Sequence, residues 1–235
     1  MRYAHGFTLV ELAMVLVLLG ILMVMGIGVM QMQISKDNRD QTLLTLQAST
    51  EALMGYAQAH IGTDNEPYFP CPDTNADGLE NRNAAGQCVA TVGLYPWATL
   101  GVGQFDAWRN HLGYRVNARF ADSANGFDLT ELALATSPTG LNICSAAACA
   151  ATDQVAQNVA AVVFSLGKFG TAATGARGTI DEAVNFAHYP PSVAANLNFI
   201  SRVENDTVGN EFDDYVSWIS NASLAGKIVE AGRLP

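Results

Sequence analysis

The 24 residues from Phe7 to Met30 carry one charge, Glu11. A helix needs about 20 such residues to cross a bilayer. Arg2 and His5 precede the run, and short positive flanks stay cytoplasmic, so the rest of the chain is expected on the far side. A cleaved secretory signal fits less well. Its apolar core spans roughly 7–15 residues and ends in small residues, whereas this run is longer and is followed by Gln31-Met32-Gln33. An ordinary anchor leaves Glu11 unexplained, because a carboxylate in hydrocarbon costs at least ~2.5 kcal/mol and calls for a partner.

The chain as a whole is acidic and apolar. Of 235 residues, 14% are charged and 49% hydrophobic, with a net charge of −10. That balance excludes a disordered tail and argues against general nucleic-acid binding, since phosphate backbones are repelled. Beyond the polar stretch 31–41, apolar residues return at Leu43, Leu46, Leu53, Met54, Ala57 and Ile61, in steps that mark one stripe of an amphipathic helix. One helix is expected from Phe7 to His60, ended by Gly62 and Pro67.

The heptapeptide Gly6-Phe7-Thr8-Leu9-Val10-Glu11-Leu12 resembles the prepilin processing site of type IV pilins and type II secretion pseudopilins. The resemblance implies cleavage after Gly6 by a prepilin peptidase, methylation of the new amino terminus at Phe7, and an assembly role for Glu11. A buried carboxylate is neutralised by pairing, and the family's partner for it is the amino-terminal charge of a neighbouring subunit. Many members carry a helix-kinking proline where this chain has Gly28. The domain reading follows: leader 1–6, membrane-spanning or filament-core helix half 7–30, amphipathic half 31–60, and a globular extracytoplasmic head 61–235.

The expected fold is α+β, a long amino-terminal helix packed on a carboxy-terminal antiparallel sheet. Residues 62–97 are rich in Pro and Gly and read as a long loop. Strands are expected at 112–120, 127–133, 159–166, 197–203 and 212–219, with a helix at 222–231. Asp106-Ala107-Trp108-Arg109-Asn110 with Tyr114 resembles the D-P-W-G-N-x-x-x-Y stretch of pseudopilin heads, with Ala107 in place of the proline and Arg109 in place of the glycine.

Asp73-Thr74-Asn75-Ala76-Asp77-Gly78 matches the first half of a calcium loop, in which alternate oxygens converge and glycine permits the turn. The expected ligands are Asp73, Asn75, Asp77, the Leu79 carbonyl and Asn81. Position twelve is Ala84 rather than a bidentate Glu, and the competing reading is an Asx-rich turn without metal. Four cysteines permit three pairings. Pairing nearest neighbours, Cys71 with Cys88 and Cys144 with Cys149, would clamp two loops, as suits an oxidising compartment. Zinc is disfavoured because no C-x-x-C is present.

The four histidines are scattered, and neither G-x-S-x-G nor H-E-x-x-H occurs, so no enzymatic activity is expected. The acidic run Glu204, Asp206, Glu211, Asp213 and Asp214 reads as a solvated face. The functional expectation is a structural subunit, a minor pilin or pseudopilin of a type IV pilus or type II secretion filament; 229 residues after Gly6 is large for a major pilin. Its expected partners are prepilin peptidase, other pilin-type subunits, the inner-membrane assembly machinery and, before assembly, the lipid bilayer. It would be a single-pass inner-membrane protein with a periplasmic head. The alternative is a membrane- or filament-anchored calcium-dependent binding module.

Overall fold

The computed structural model of the protein describes residues 8–133, 140–170, 179–190 and 196–233, with the side chains at 24–29, 31 and 133 outside the description. The chain divides into two compact units, 1–40 and 41–235. Helix α1 is Leu9–Ala59, so its residues 9–40 belong to the first unit and 41–59 to the second.

In the first unit every large apolar side chain described between Leu9 and Met23 is exposed. A contiguous apolar surface of this kind is covered in use by lipid or by another protein. Among the described residues no helix is long and apolar enough to cross a membrane. The expected span, 7–30, includes Phe7 and the side chains of 24–29, which lie outside the description.

The second unit is built in layers around one strand. Within α1, Thr42, Leu46, Ser49, Leu53 and Ala57 are fully or almost fully buried, a stripe at helical spacing. Leu43 and Ile61, assigned to that stripe from sequence, are exposed instead. Ser49 is hydrogen-bonded both within the helix and across the core. The Ser49 hydroxyl donates to the Thr45 carbonyl at 2.8 Å, and the Tyr95 hydroxyl donates to the Ser49 carbonyl at 3.0 Å.

The remaining elements are β1 (Val92–Leu94), α2 (Trp97–Leu100), β2 (Gly113–Val116), a 3-10 turn (Ala118–Phe120), α3 (Leu129–Ala133), β3 (Leu141–Cys144), β4 (Gln154–Val159), β5 (Ala161–Ser165), α4 (Ile180–Phe186), β6 (Asn198–Ile200), β7 (Tyr215–Ile219) and α5 (Asn221–Glu230). A four-stranded sheet runs β1-β2-β5-β7, antiparallel at each pairing. A three-stranded sheet runs β4-β3-β6. Its β3–β4 pair is antiparallel with two register shifts, and its β3–β6 pair is parallel.

All five residues of β5 are buried, because both faces of the strand are covered. Ala161 and Val163 pack in one cluster with Leu46, Leu53 and Ala57 of α1 and Leu224 and Ile228 of α5. Val162 and Phe164 point the other way, into a cluster with Leu141, Ile143 and Phe199 of the second sheet. Alternation of side chains along a strand makes this two-sided burial possible.

Three expectations are corrected here. Residues 127–133 are not a strand. Phe127 enters the core, and α3 follows, started by Asp128, whose Oδ1 accepts the N–H groups of Thr130 at 2.6 Å and Glu131 at 3.1 Å. The head has a second sheet with a parallel pair, absent from the sequence reading. Asp213 and Asp214 are buried, not part of a solvated face.

The Asp106–Asn110 turn ties the layers together. The Asp106 carboxylate accepts the Asn110 N–H at 2.7 Å and the Ser165 hydroxyl at 2.7 Å, and the Ala107 N–H donates to the Thr42 hydroxyl oxygen at 3.1 Å. Trp108 stacks on Tyr215 with centroids 5.6 Å apart. Arg109 sits at φ 70°, the left-handed region that favours glycine, with its side chain exposed. Substituting Arg109→Gly removes that strain and is expected to stabilise the protein by up to about 1 kcal/mol. Thermal unfolding of the two proteins checks this, the variant melting up to about 4 °C higher; a lower melting temperature would show that the turn does not need a glycine-like backbone.

Candidate functional site

Gly6 and Phe7, the expected processing residues, lie outside the described residues. Glu11, the expected assembly residue, is exposed near the start of α1. Its Oε2 accepts the Thr8 N–H at 2.9 Å and the Thr8 hydroxyl at 3.0 Å, and its own N–H donates to the Thr8 hydroxyl oxygen at 3.3 Å. This is a capping box, in which residue and side chain satisfy each other's orphan backbone donors at a helix start. A carboxylate there also meets the positive end of the helix dipole. Both bonds fall on Oε2, and Oε1 takes no part in the cap. Thr8 was not singled out from sequence, although the pattern Thr-x-x-Glu before an apolar run signals it.

The loop at 71–88 is closed by the Cys71–Cys88 disulfide. Cys144 pairs with Cys149, so both nearest-neighbour pairings are present. Asp73 is fully buried. Its Oδ1 accepts the N–H groups of Asn75 at 3.0 Å and Ala76 at 2.8 Å, and its Oδ2 accepts that of Gly78 at 2.7 Å. The Asp77 carboxylate accepts the Leu79 N–H at 2.8 Å and the Asn75 side-chain amide at 2.9 Å. Asn81 turns its Oδ1 to the Thr74 N–H and hydroxyl, at 2.7 and 2.8 Å.

The structure therefore brings Asp73, Asn75 and Asp77 together, with their oxygens spent largely on N–H donors of the loop. Asp73 also joins the larger sheet, exchanging backbone bonds with Leu94. Gly78 has φ 83°, and a Cβ there would lie 2.4 Å from the Trp97 ring, so both backbone and space demand glycine. Among the described residues no group of three or more His, Cys, Asp or Glu side chains is placed to hold a metal ion.

Glu80 serves a different purpose. It accepts the Cys71 N–H at 2.9 Å and the Tyr56 hydroxyl at 2.9 Å and pairs with Arg82 at 2.9 Å. Arg82 in turn donates to the carbonyls of Gly86 at 2.9 Å and Phe69 at 2.7 Å, and lies over the Tyr68 ring. Burial, reinforced by the neighbouring Glu80 charge, pushes the Tyr56 hydroxyl far above its ordinary range. The loop clamped by its own disulfide is thus also tied to α1 through the Tyr56–Glu80 hydrogen bond.

His188 is the buried histidine among those described. Burial pushes its imidazole down to about 4, and it accepts from Arg115 at 2.6 Å through Nδ1 while Nε2 meets the Asn198 carbonyl at 2.8 Å. Stacked on Phe199, it holds β6.

Residues 1–27 match the family model for the prokaryotic N-terminal methylation motif. The chain has a type IV pilin- or pseudopilin-like amino terminus. The match covers Gly6, Phe7, Thr8 and Glu11, and ends before the second unit. Such a motif implies processing by prepilin peptidase and assembly with other pilin-type subunits. No curated protein and no solved structure matches the chain.

Proposed function

We propose that this pilin-like protein is a minor pilin or pseudopilin, a structural subunit of a type IV pilus or type II secretion filament. The observation that carries the reading is the methylation motif at residues 1–27. The unpacked apolar surface of Leu9–Met23 supports it, since that surface requires lipid before assembly and neighbouring helices after it. On this reading cleavage follows Gly6, Phe7 becomes the methylated amino terminus, and the chain crosses the inner membrane once with a periplasmic head. Its role is structural rather than catalytic. Two disulfides suit an oxidising compartment.

Glu11 is the residue on which assembly turns. With Oε2 holding the cap, Oε1 is the oxygen that a neighbour's amino terminus would meet, and a carboxylate deprived of that partner in an apolar filament core is strongly disfavoured. Glu11→Gln keeps the capping geometry, because glutamine also serves at this position, but removes the charge. It is expected to insert normally and to enter filaments more than about tenfold less than wild type, measured by immunoblotting of sheared filaments against membranes. Normal incorporation would reduce Glu11 to a helix cap.

The second reading, a calcium-dependent module, rests on the Asp73–Asn81 loop, where the sharp turn at Gly78 and the disulfide pre-close the segment. A pre-closed loop loses less entropy on binding. On this second reading, calorimetry on the purified protein shows calcium binding in the ~10⁻⁴–10⁻³ M range, lost in Asp77→Ala. This substitution leaves the three backbone bonds of Asp73 in place. No heat, or equal heat in the variant, leaves an Asx turn held by a disulfide.

A further inference from the structure

Strand β6 ends the three-stranded sheet, with β3 on one side of it. Its other edge is closed by side chains rather than by a strand. The Ile200 N–H donates to Asn185 Oδ1 at 2.8 Å, and the Ile200 carbonyl accepts from Asn185 Nδ2 at 2.9 Å. Close by, His188 Nε2 meets the Asn198 carbonyl at 2.8 Å. Asn185 lies at the end of α4, and His188 follows that end. Both side chains are 0% exposed, so water does not compete for these bonds. Buried backbone groups on a strand edge need such partners.

The other ring nitrogen decides the chemistry. His188 Nδ1 lies 2.6 Å from Arg115 Nη1. A guanidinium has donors only and stays charged in proteins, so Nδ1 is an acceptor and the ring is neutral, with its proton on Nε2. That N–H then donates to Asn198, as the carbonyl requires. Arg115 is itself held on β2, its Nη1 donating also to the Asn196 carbonyl at 2.7 Å. A proton on Nδ1 would set donor against donor and cation against cation at that short distance. Among the described residues Arg115 is the charge acting on His188, and from β6 the ring meets the neutral Asn198 carbonyl and Phe199 ring. On α4 itself Asp181 pairs with Arg202 and Glu182 closes the capping box, both in its first turn.

We propose that His188 is an acid-sensitive latch, in which a proton arriving at Nδ1 breaks the contact with Arg115, withdraws the ring from Asn198 and opens the outer edge of β6. Burial, reinforced by the Arg115 charge, pushes the imidazole down to about 4, against about 6.5 for an unperturbed histidine. Between about pH 4 and 6.5 an opened segment binds a proton on His188 that the closed one does not, so closure weakens as pH falls. Above about pH 6.5 the ring is neutral in both, and the latch has its full strength. Burial raises Asp213 and Asp214, whose protons act in the opposite sense. Asp214 also touches the same corner, its Oδ2 accepting the Asn185 amide at 2.9 Å. The effect of His188 is isolated by comparing two proteins that share those carboxyls. An opened β6 presents an unpaired strand edge, a surface that takes up a further strand.

Native-state hydrogen exchange on the full chain in detergent tests this, comparing wild type with His188→Gln at the Ala187 and Ile200 amides across about pH 4–7, after correction for intrinsic exchange. Glutamine keeps an acceptor for Arg115 and a donor for Asn198 and does not titrate. As pH falls from about 6.5 to 4, wild-type protection relative to the variant is expected to drop by up to about tenfold per pH unit, roughly a hundredfold in all. Nitrogen NMR of the wild-type ring gives a second readout that does not depend on a variant's folding. At about pH 5.5 the closed protein should hold His188 neutral with its proton on Nε2. A ratio of protection that is flat, or that rises as pH falls, would overturn the proposal. So would a neutral ring with its proton on Nδ1, or a ring already charged at that pH while the Ile200 amide stays protected.

Discussion

Strand β5 has no solvent face. Its alternate residues, Ala161 and Val163 against Val162 and Phe164, belong to two different hydrophobic clusters, and every other layer of residues 41–235 is placed by that division. One side is supplied by the α1 stripe at Leu46, Leu53 and Ala57 and by α5, the other by β3 and β6. The helix stripe that reads from sequence as amphipathic is therefore half of the core, and the part of α1 within this unit cannot be separated from the sheet without exposing both. The Asp106 turn is a polar counterpart of the same arrangement, since one carboxylate and its neighbour reach Ser165 at the end of β5 and Thr42 of α1.

Much of this was legible in the residues. The buried run Val159–Leu166 marked the central strand, the final helix and the strands near 198–200 and 215–219 fell where expected, and the long helix ends within one residue of its predicted end. The misses share a physical cause. Helices α3 and α4 are 5 and 7 residues long, too short for a 3.6-residue period to show, and their starts are announced by caps alone. Asp128-x-x-Glu131 and Thr179-x-x-Glu182 are the same signal as Thr8-x-x-Glu11, and reading one would have found the others. Strand β3 has four residues and β4 is polar and irregular in register, so neither alternates cleanly. The parallel β3–β6 pairing is a long-range choice that no local pattern encodes.

The candidate site shows the same division between what spacing announces and what geometry decides. The Asp73, Asn75 and Asp77 spacing brings those side chains together, but the direction of each oxygen is set by backbone N–H groups that the sequence does not display. The acidic run after Glu204 looked solvated because charge is usually exposed. Asp213 and Asp214 depart from that rule because they sit where the chain enters β7, between α4 and the loop after β5. At Glu11 the spacing announces a lone charge in an apolar run, and the structure adds its cap with Thr8.

All of this bears on assembly only if the amino terminus is processed as its motif implies. Mass spectrometry of the intact protein, purified from cells that possess a prepilin peptidase, tests that directly. The account predicts a chain beginning at Phe7 and carrying one added methyl group on its amino terminus. A chain that retains Met1–Gly6 in those cells would contradict it.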